Sequence, residues 1–199
     1  YGMIVYDNDL YVGGAFDVAG NVAVNHLARW NGSAWRDVGG GITGPGYYGI
    51  YGTMEAYKDE LYIGGGFENA GGQPMSHLTK WNGSAFSSVG GGPLLVAGPG
   101  VFTVFGNRLI MGGNVGSGMF QDQMGTWDGV NFDSLGTGLS STPTDFEIYN
   151  CQLYAGGRFT ATGNGVANGV AVLDTIDFSV DIQEINVPDY SISIAPNPF

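Results

Sequence analysis

The sequence predicts an all-β protein built from a tandem repeat of short antiparallel strands, and three observations carry that prediction. Of the 199 residues, 37 are Gly, too many for long helices, because each interior Gly costs a helix about 1 kcal/mol. Charged residues make up only 12% and aromatic residues 13%, the reverse of a disordered chain. A multi-part motif recurs along most of the length, which is the mark of a repeat architecture. Collagen is excluded, since there are only 8 Pro and no Gly at every third position. No apolar run approaches the ~18 residues of a membrane-spanning helix; Gly interrupts each one, as between Pro93 and Gly106.

The leading module is Leu10-Tyr11-Val12-Gly13-Gly14-Ala15-Phe16. It returns as Leu61-Tyr62-Ile63-Gly64-Gly65-Gly66-Phe67, loosely as Leu109-Ile110-Met111-Gly112-Gly113, and as Leu153-Tyr154-Ala155-Gly156-Gly157-Arg158-Phe159. A second module reads Trp30-Asn31-Gly32-Ser33-Ala34-Trp35, then Trp81-Asn82-Gly83-Ser84-Ala85-Phe86, then Trp127-Asp128-Gly129-Val130-Asn131-Phe132. The fourth copy keeps Phe178 but has lost the Trp and the Gly. Val38-Gly39-Gly40, Val89-Gly90-Gly91 and Leu135-Gly136-Thr137 close the first three units. Residues 1–180 thus divide into units of about 1–43, 44–95, 96–140 and 141–180.

Each unit reads as four strands. The first ends at a polar turn: Asp7-Asn8-Asp9, Lys58-Asp59-Glu60, Asn107-Arg108 or Asn150-Cys151-Gln152. The second is the L-Y-x-G-G strand, whose Gly pair lets backbone pass where neighbouring units crowd. After a variable loop, the third strand runs into Trp30, Trp81 or Trp127. The fourth carries Trp35, Phe86 or Phe132 and ends at the Gly cluster. Asn-Gly or Asp-Gly between the third and fourth strands predicts a two-residue hairpin turn with positive φ at both central residues. Four antiparallel strands recurring every ~40–50 residues are the signature of a propeller blade. The expected fold class is therefore all-β, a β-propeller of four-stranded antiparallel blades, with four repeats forming a small ring or part of a larger one.

The order of L-Y-x-G-G, loop, strand ending in an aromatic, and a second aromatic shortly after resembles the kelch-type propeller repeat. It is more closely similar to the L-Y-x-G-G-x-F … W-N-G-S-x-W … G-G-G repeats of secreted bacterial and fungal surface proteins. That resemblance covers about 180 residues. It implies a non-catalytic binding or adhesion module for glycan or protein. The alternative is the propeller part of an extracellular polysaccharide-active enzyme.

Residues 180–188 form an acidic linker, and Tyr190-Ser191-Ile192-Ser193-Ile194-Ala195-Pro196-Asn197-Pro198-Phe199 ends the chain. Ser-Ile-Ser-Ile alternates like a strand, and Pro-Asn-Pro forces a turn after it. This string resembles the opening of the C-terminal sorting domain of Bacteroidetes type 9 secretion cargo, so 181–199 is expected to be linker plus the start of that domain. The resemblance makes Ile194, Pro196, Asn197, Pro198 and Phe199 the sorting signal. It implies the type 9 translocon and its shuttle protein as partners, and the outer-membrane surface or exterior as destination.

Six Lys and Arg against 18 Asp and Glu leave a net charge of -12. This argues against nucleic acid, whose phosphates need clustered cations, and against insertion at an anionic membrane. The single cysteine, Cys151, rules out an internal disulfide and any multi-Cys zinc site. Some kelch propellers, galactose oxidases among them, hold copper with His, Tyr and a crosslinked Cys. Here Cys151 falls in a turn, and the repeat accounts for His26 and His77, each four residues before a Trp. Asp7-Asn8-Asp9 lacks the Gly and Glu that a calcium loop needs. No nucleophile elbow, phosphate-binding loop or zinc-protease motif is present, so neither enzyme activity nor a metal or cofactor is expected.

Asn31-Gly32-Ser33 and Asn82-Gly83-Ser84 match the N-glycosylation pattern, but Asp128-Gly129 in the third unit favours turn chemistry. Asp133-Ser134-Leu135 and Asp174-Thr175-Ile176 resemble the short O-glycosylation site of Bacteroidetes. In a propeller the loops between second and third strands share a face with the connections between blades. That face is expected to carry 17–25, 68–76 and 42–51. Tyr47, Tyr48 and Tyr51 on it are candidate ligand contacts, since an aromatic plane supplies area and a hydroxyl a polar handle. Asp17 and Glu68, each directly after the Phe of G-G-x-F, are candidate acids on the same face.

Overall fold

The computed structural model describes residues 2–44, 53–75, 77–90, 98–113, 123–135, 139–162, 165–173 and 192–193. Among them every regular element is a strand, and no helix occurs. Four sheets have four strands each. The first comprises Gly2–Tyr6, Asp9–Gly13, Leu27–Trp30 and Trp35–Asp37. The second comprises Thr53–Tyr57, Glu60–Gly64, Leu78–Trp81 and Phe86–Ser88, and the third Val101–Phe105, Arg108–Gly112, Met124–Trp127 and Phe132–Ser134. Strands adjacent in sequence within a sheet are adjacent in space and antiparallel.

The fourth sheet joins Pro143–Tyr149, Gln152–Gly157 and Val170–Leu173 to Ile192–Ser193. Its outer strand comes from the tail, with Val172 opposite Ser193 and Leu173 opposite Ile192. Phe178, the residue equivalent to the outer-strand aromatics of the other sheets, lies outside the described residues.

The first turn of each unit is a two-residue hairpin. Asp7 and Asn8 stand at φ 48° and 62°, Lys58 and Asp59 at 49° and 61°, and Asn150 and Cys151 at 51° and 61°. Paired positive φ values are those of a type I′ turn, whose twist matches that of the flanking strands. Asp9 and Glu60, expected within these turns, are instead the first residues of the second strands, opposite Tyr6 and Tyr57. A two-residue turn ends one position earlier, which turns their carboxylates toward the third strand. Asp9 meets Arg29 at 3.5 Å and Glu60 meets Lys80 at 2.7 Å. Cys151 is exposed and unbridged in its turn.

The Asn-Gly connection departs from the expected two-residue turn. Trp30 pairs with Trp35, Trp81 with Phe86 and Trp127 with Phe132, so four residues make each loop. Gly32 and Gly83 take φ 91° and 93°, while Asn31 and Asn82 keep ordinary φ and act through their side chains. The Asn82 Oδ1 accepts the Ser84 N–H at 3.0 Å and the Ala85 N–H at 2.9 Å. Asn31 does the same for Ser33 and Ala34 at 3.1 and 2.9 Å. Asp128 serves Val130 and Asn131, both at 2.7 Å. The longer loop wins because it satisfies two backbone donors and brings the flanking aromatics into tilted contact, 4.7 Å between ring centres for Trp81 and Phe86.

The apolar core lies between consecutive sheets. Tyr11, Leu27 and Val38 of the first sheet's unit pack on Met54, Leu61 and Ile63 of the second. Tyr62, Leu78 and Val89 pack in the same way on Phe102, Leu109 and Met111. Ile110, Met124 and Leu135 pack on Phe146, Leu153 and Ala155. In the second and third sheets the second strand (Glu60–Gly64 and Arg108–Gly112) is thus covered on both faces, in keeping with its continuous apolar run. The first strands of successive sheets lie side by side from Gly2–Tyr6 through to Pro143–Tyr149.

Gly64 and Gly112, the first Gly of each pair, are where the next sheet presses closest. A Cβ on Gly64 would stand 2.9 Å from the Phe102 ring, and one on Gly112 2.8 Å from Phe146. The crowding that explains the Gly pair is thus on the sheet-to-sheet side. Gly39 and Gly90 at the unit exits lie on the Trp81 and Trp127 rings of the next sheet.

Candidate functional site

In the first, second and fourth units the segment between second and third strands, expected as a variable loop, holds a short hairpin of its own. Val18–Ala19 pairs with Val22–Ala23, Asn69–Ala70 with Gln73–Pro74, and Ala161–Thr162 with Gly165–Val166. The signal for it was present: Gly20-Asn21, Gly71-Gly72 and Gly163-Asn164 are tight-turn dipeptides. The flanking strands are only two residues long, too short to show alternation in the sequence.

These hairpins and the connections between units make one face. Ile42–Thr43, the connection out of the first unit, adds as a third strand to the second unit's hairpin, with Thr43 opposite Asn69. On its other side the Ile42 N–H donates to the Asn25 carbonyl at 2.9 Å, and Asn25 Nδ2 donates to the Gly40 carbonyl at 2.8 Å. Further along, Leu139 bridges to Thr162, and the Ser140 N–H donates to the Ala161 carbonyl at 2.9 Å. The described parts of the first and last connections are therefore stitched to the hairpins by backbone bonds.

Asp17 and Glu68 sit at the same place in successive hairpins, both exposed. Their carbonyls accept the Val24 N–H at 3.0 Å and the Met75 N–H at 2.7 Å, and Thr160 does the same for Ala167 at 2.9 Å. Position is thus set by backbone, and the side chains are left to solvent. No contact joins Asp17 to Glu68 among the described residues. Glu68 has a further tie: its N–H donates to the Thr43 carbonyl at 3.0 Å. Tyr47, Tyr48 and Tyr51 lie outside the described residues, as do Ile194, Pro196, Asn197, Pro198 and Phe199.

His26 and His77 are backbone corners. They stand at φ 60° and 61°, with Gln123 at 61° and Gly169 at 82° in the same place of the later units. The carbonyls of all four accept the N–H of the second Gly of their own unit: Gly14, Gly65, Gly113 and Gly157, at 2.9–3.1 Å. His26 Nδ1 also lies 3.1 Å from the Phe16 carbonyl. Sharing the corner with Gln and Gly means that its geometry, not imidazole chemistry, is what the repeat specifies. Among the described residues no group of three or more His, Cys, Asp and Glu could hold a metal ion.

At the opposite end of the sheets, a groove of about 610 Å³ is lined by Tyr6, Asp7, Tyr57, Lys58, Asp59 and Asn82. Burial raises the Tyr57 hydroxyl above the ordinary phenol range, and the Asp128 charge adds to it against Arg108. Both Tyr hydroxyls are occupied. Tyr6 donates to the Asp59 carbonyl at 2.8 Å and Tyr57 to the Asn107 carbonyl at 2.7 Å. The groove is accordingly a seam between sheets whose two phenols are already engaged.

Comparison with protein-family models returns no match for this chain, and comparison with curated proteins returns none either.

Proposed function

We propose that the four sheets are successive blades of a β-propeller, and that the chain is a non-catalytic module binding an extracellular glycan or protein. The blade reading is supported by three like sheet-to-sheet cores and by first strands lying side by side. For binding, one observation carries most weight. The Thr43 carbonyl holds the Glu68 N–H, so the root of the segment bearing Tyr47, Tyr48 and Tyr51 is tied beside an exposed carboxylate. Tyr faces stack on sugar rings or apolar side chains, and a neighbouring acid accepts hydroxyl or ammonium donors. The net charge of -12 favours a neutral or cationic ligand.

The resemblance of the tail to a sorting domain supports export by the type 9 system, with Ile194, Pro196, Asn197, Pro198 and Phe199 engaging translocon and shuttle. The cell surface or exterior is then the working location.

Two experiments test this. Glycan-array and pull-down binding of Tyr47→Ala/Tyr48→Ala should fall at least about tenfold, ~1.4 kcal/mol, with circular dichroism unchanged. Binding that survives in the double variant sinks the assigned face. In a type 9-competent host, removing residues 196–199 and whatever follows should strand the protein in the periplasm; unchanged secretion refutes the export reading.

A further inference from the structure

At the end of the sheets opposite the Asp17 and Glu68 hairpins, two consecutive joints share one design and differ in the residue after the tyrosine. Between the second and third sheets, Tyr57 donates its hydroxyl to the Asn107 carbonyl. Lys58, the next residue, reaches across the same joint. Its ammonium lies 5.4 Å from the centre of the Tyr57 ring and donates to the main-chain carbonyl of Asp128 at 2.5 Å. Gly129 admits it, since a Cβ there would stand 2.8 Å from the Lys58 nitrogen. Ring and loop carbonyl together make a seat for a lysine side chain.

Between the first and second sheets the parts recur. Tyr6 donates to the Asp59 carbonyl, and Asn82 caps its loop as Asp128 does. Asp7 stands where Lys58 stands, at φ 48° against 49°. This seam is the groove of about 610 Å³ lined by Tyr6, Asp7, Tyr57, Lys58, Asp59 and Asn82. A Cβ on Gly83, the counterpart of Gly129, would meet nothing within 4 Å among the described residues. The ring and the loop are kept, and a carboxylate replaces the ammonium. Ion pairs among the described residues use Asp9, Glu60 and Asp133, which leaves the exposed Asp7 and Asp59 carboxylates unpaired at the groove. Lys58, the one cation in this lining, has its ammonium committed to the other joint. Strands, turns and loops on both sides of the groove are described, so this joint, like the next, is an inner one.

We propose that this groove binds a lysine side chain of a partner protein, with the ammonium between the Asp7 carboxylate and the Asn82 carbonyl and the methylenes along the Tyr6 ring. The second joint holds its own lysine in that seat. The first presents the same seat with an acid beside it, and that acid supplies the charge attraction that an untethered ligand needs. The net charge of -12 draws cations toward the whole surface. The groove lies at the other end of the sheets from the face of Asp17 and Glu68, so either site can fail without the other.

The test is titration with Nα-acetyl-lysine methylamide, followed by the amide NMR shifts of the chain. Saturable shifts should gather at Asp7, Asn8, Lys58, Asp59 and Asn82, with a dissociation constant on the order of 1–10 mM for a single side chain. The Nε-acetylated probe, which lacks the charge, should leave them unmoved. Glucosamine should bind about fivefold more weakly, because it has the ammonium without the methylenes that cover the ring. Asp7→Asn should weaken the lysine probe about threefold, within the range of an exposed ion pair. Asp7→Lys, which restores the arrangement of the second joint, should abolish binding with circular dichroism unchanged. Shifts scattered over the surface, equal binding of the acetylated probe or of glucosamine, or full binding by Asp7→Lys overturns the proposal.

Discussion

The Tyr57 hydroxyl donates to the Asn107 carbonyl at 2.7 Å, joining the last residue of one sheet's first strand to the first turn of the next sheet. Tyr6 makes the same bond to Asp59, at the equivalent turn position, at 2.8 Å. The turn carbonyl is available because it lies outside the strand ladder, which closes at Phe105–Arg108 and Tyr57–Glu60. The repeat thus encodes a polar stitch at the rim of each of these two apolar joints.

Tyr57→Phe should lower stability by about 1 kcal/mol, the net worth of one hydrogen bond whose acceptor is partly buried. Urea unfolding is the measurement, and the midpoint should shift with an unchanged slope. Tyr6→Phe should cost less, since its bond is exposed. Equal stability of Tyr57→Phe and the unaltered chain would show that the stitch contributes nothing.

Gly112→Ala should destabilise by roughly 1–3 kcal/mol through overpacking, because the new methyl meets Pro143 and Phe146 of the next sheet. Gly156→Ala, at the same repeat position with no described neighbour in reach, should stay within about 0.5 kcal/mol. Thermal melts of the two variants side by side decide it; similar losses at both sites would remove the sheet-to-sheet explanation of the Gly pair.

Asn82→Ala should cost about 1 kcal/mol, as other caps of backbone N–H groups do, since it orphans the Ser84 and Ala85 donors. Asn82→Asp should be nearly neutral, because Asp128 already does this work in the third unit. If both replacements behave alike, the side-chain acceptor is not what holds the loop.

Glu55 supplies the pH dependence. Burial raises its carboxyl above the ordinary carboxylate range, against the opposing hydrogen bond from the Ala56 N–H. A raised acid binds its proton more readily folded than unfolded, so ionisation costs stability at neutral pH. That cost disappears as pH falls through the folded and then the unfolded value. Glu55→Gln keeps the acceptor and removes the charge. It should raise the melting temperature at pH 7 and leave it unchanged at pH 4 or below; a gain that persists at pH 4 would implicate something other than charge.

Much of the architecture was legible because the repeat states it several times over. Leu61, Tyr62 and Ile63 read as a buried strand from one copy, and Leu10, Leu109 and Leu153 repeat the message. The places that escaped were those where spacing alone is ambiguous. Asn82-Gly83 suits a two-residue turn by composition, and only the pairing of Trp81 with Phe86 makes it a four-residue loop. Asp9 and Glu60 looked like turn residues until the register placed them on the ladder opposite Tyr6 and Tyr57. At the candidate face, Asp17 and Glu68 were visible as a repeated acid. The Thr43 carbonyl that ties Glu68 to the root of the Tyr segment was not, because pairing between a connection and a distant hairpin leaves no local pattern.

By itself the sequence determined that the chain is β, that it repeats, and which residues share a position, since strand alternation, turn chemistry and Gly placement are local properties. Tertiary structure decided which faces those positions meet. Whether Gly64 and Gly156 are equivalent or opposite in circumstance depends on what stands across from them, and one is filled by Phe102 while the other has no described neighbour. The repeat writes the same strand each time, but burial belongs to pairs of sheets, so one repeat position is crowded at Gly64 and Gly112 and open among the described residues at Gly156.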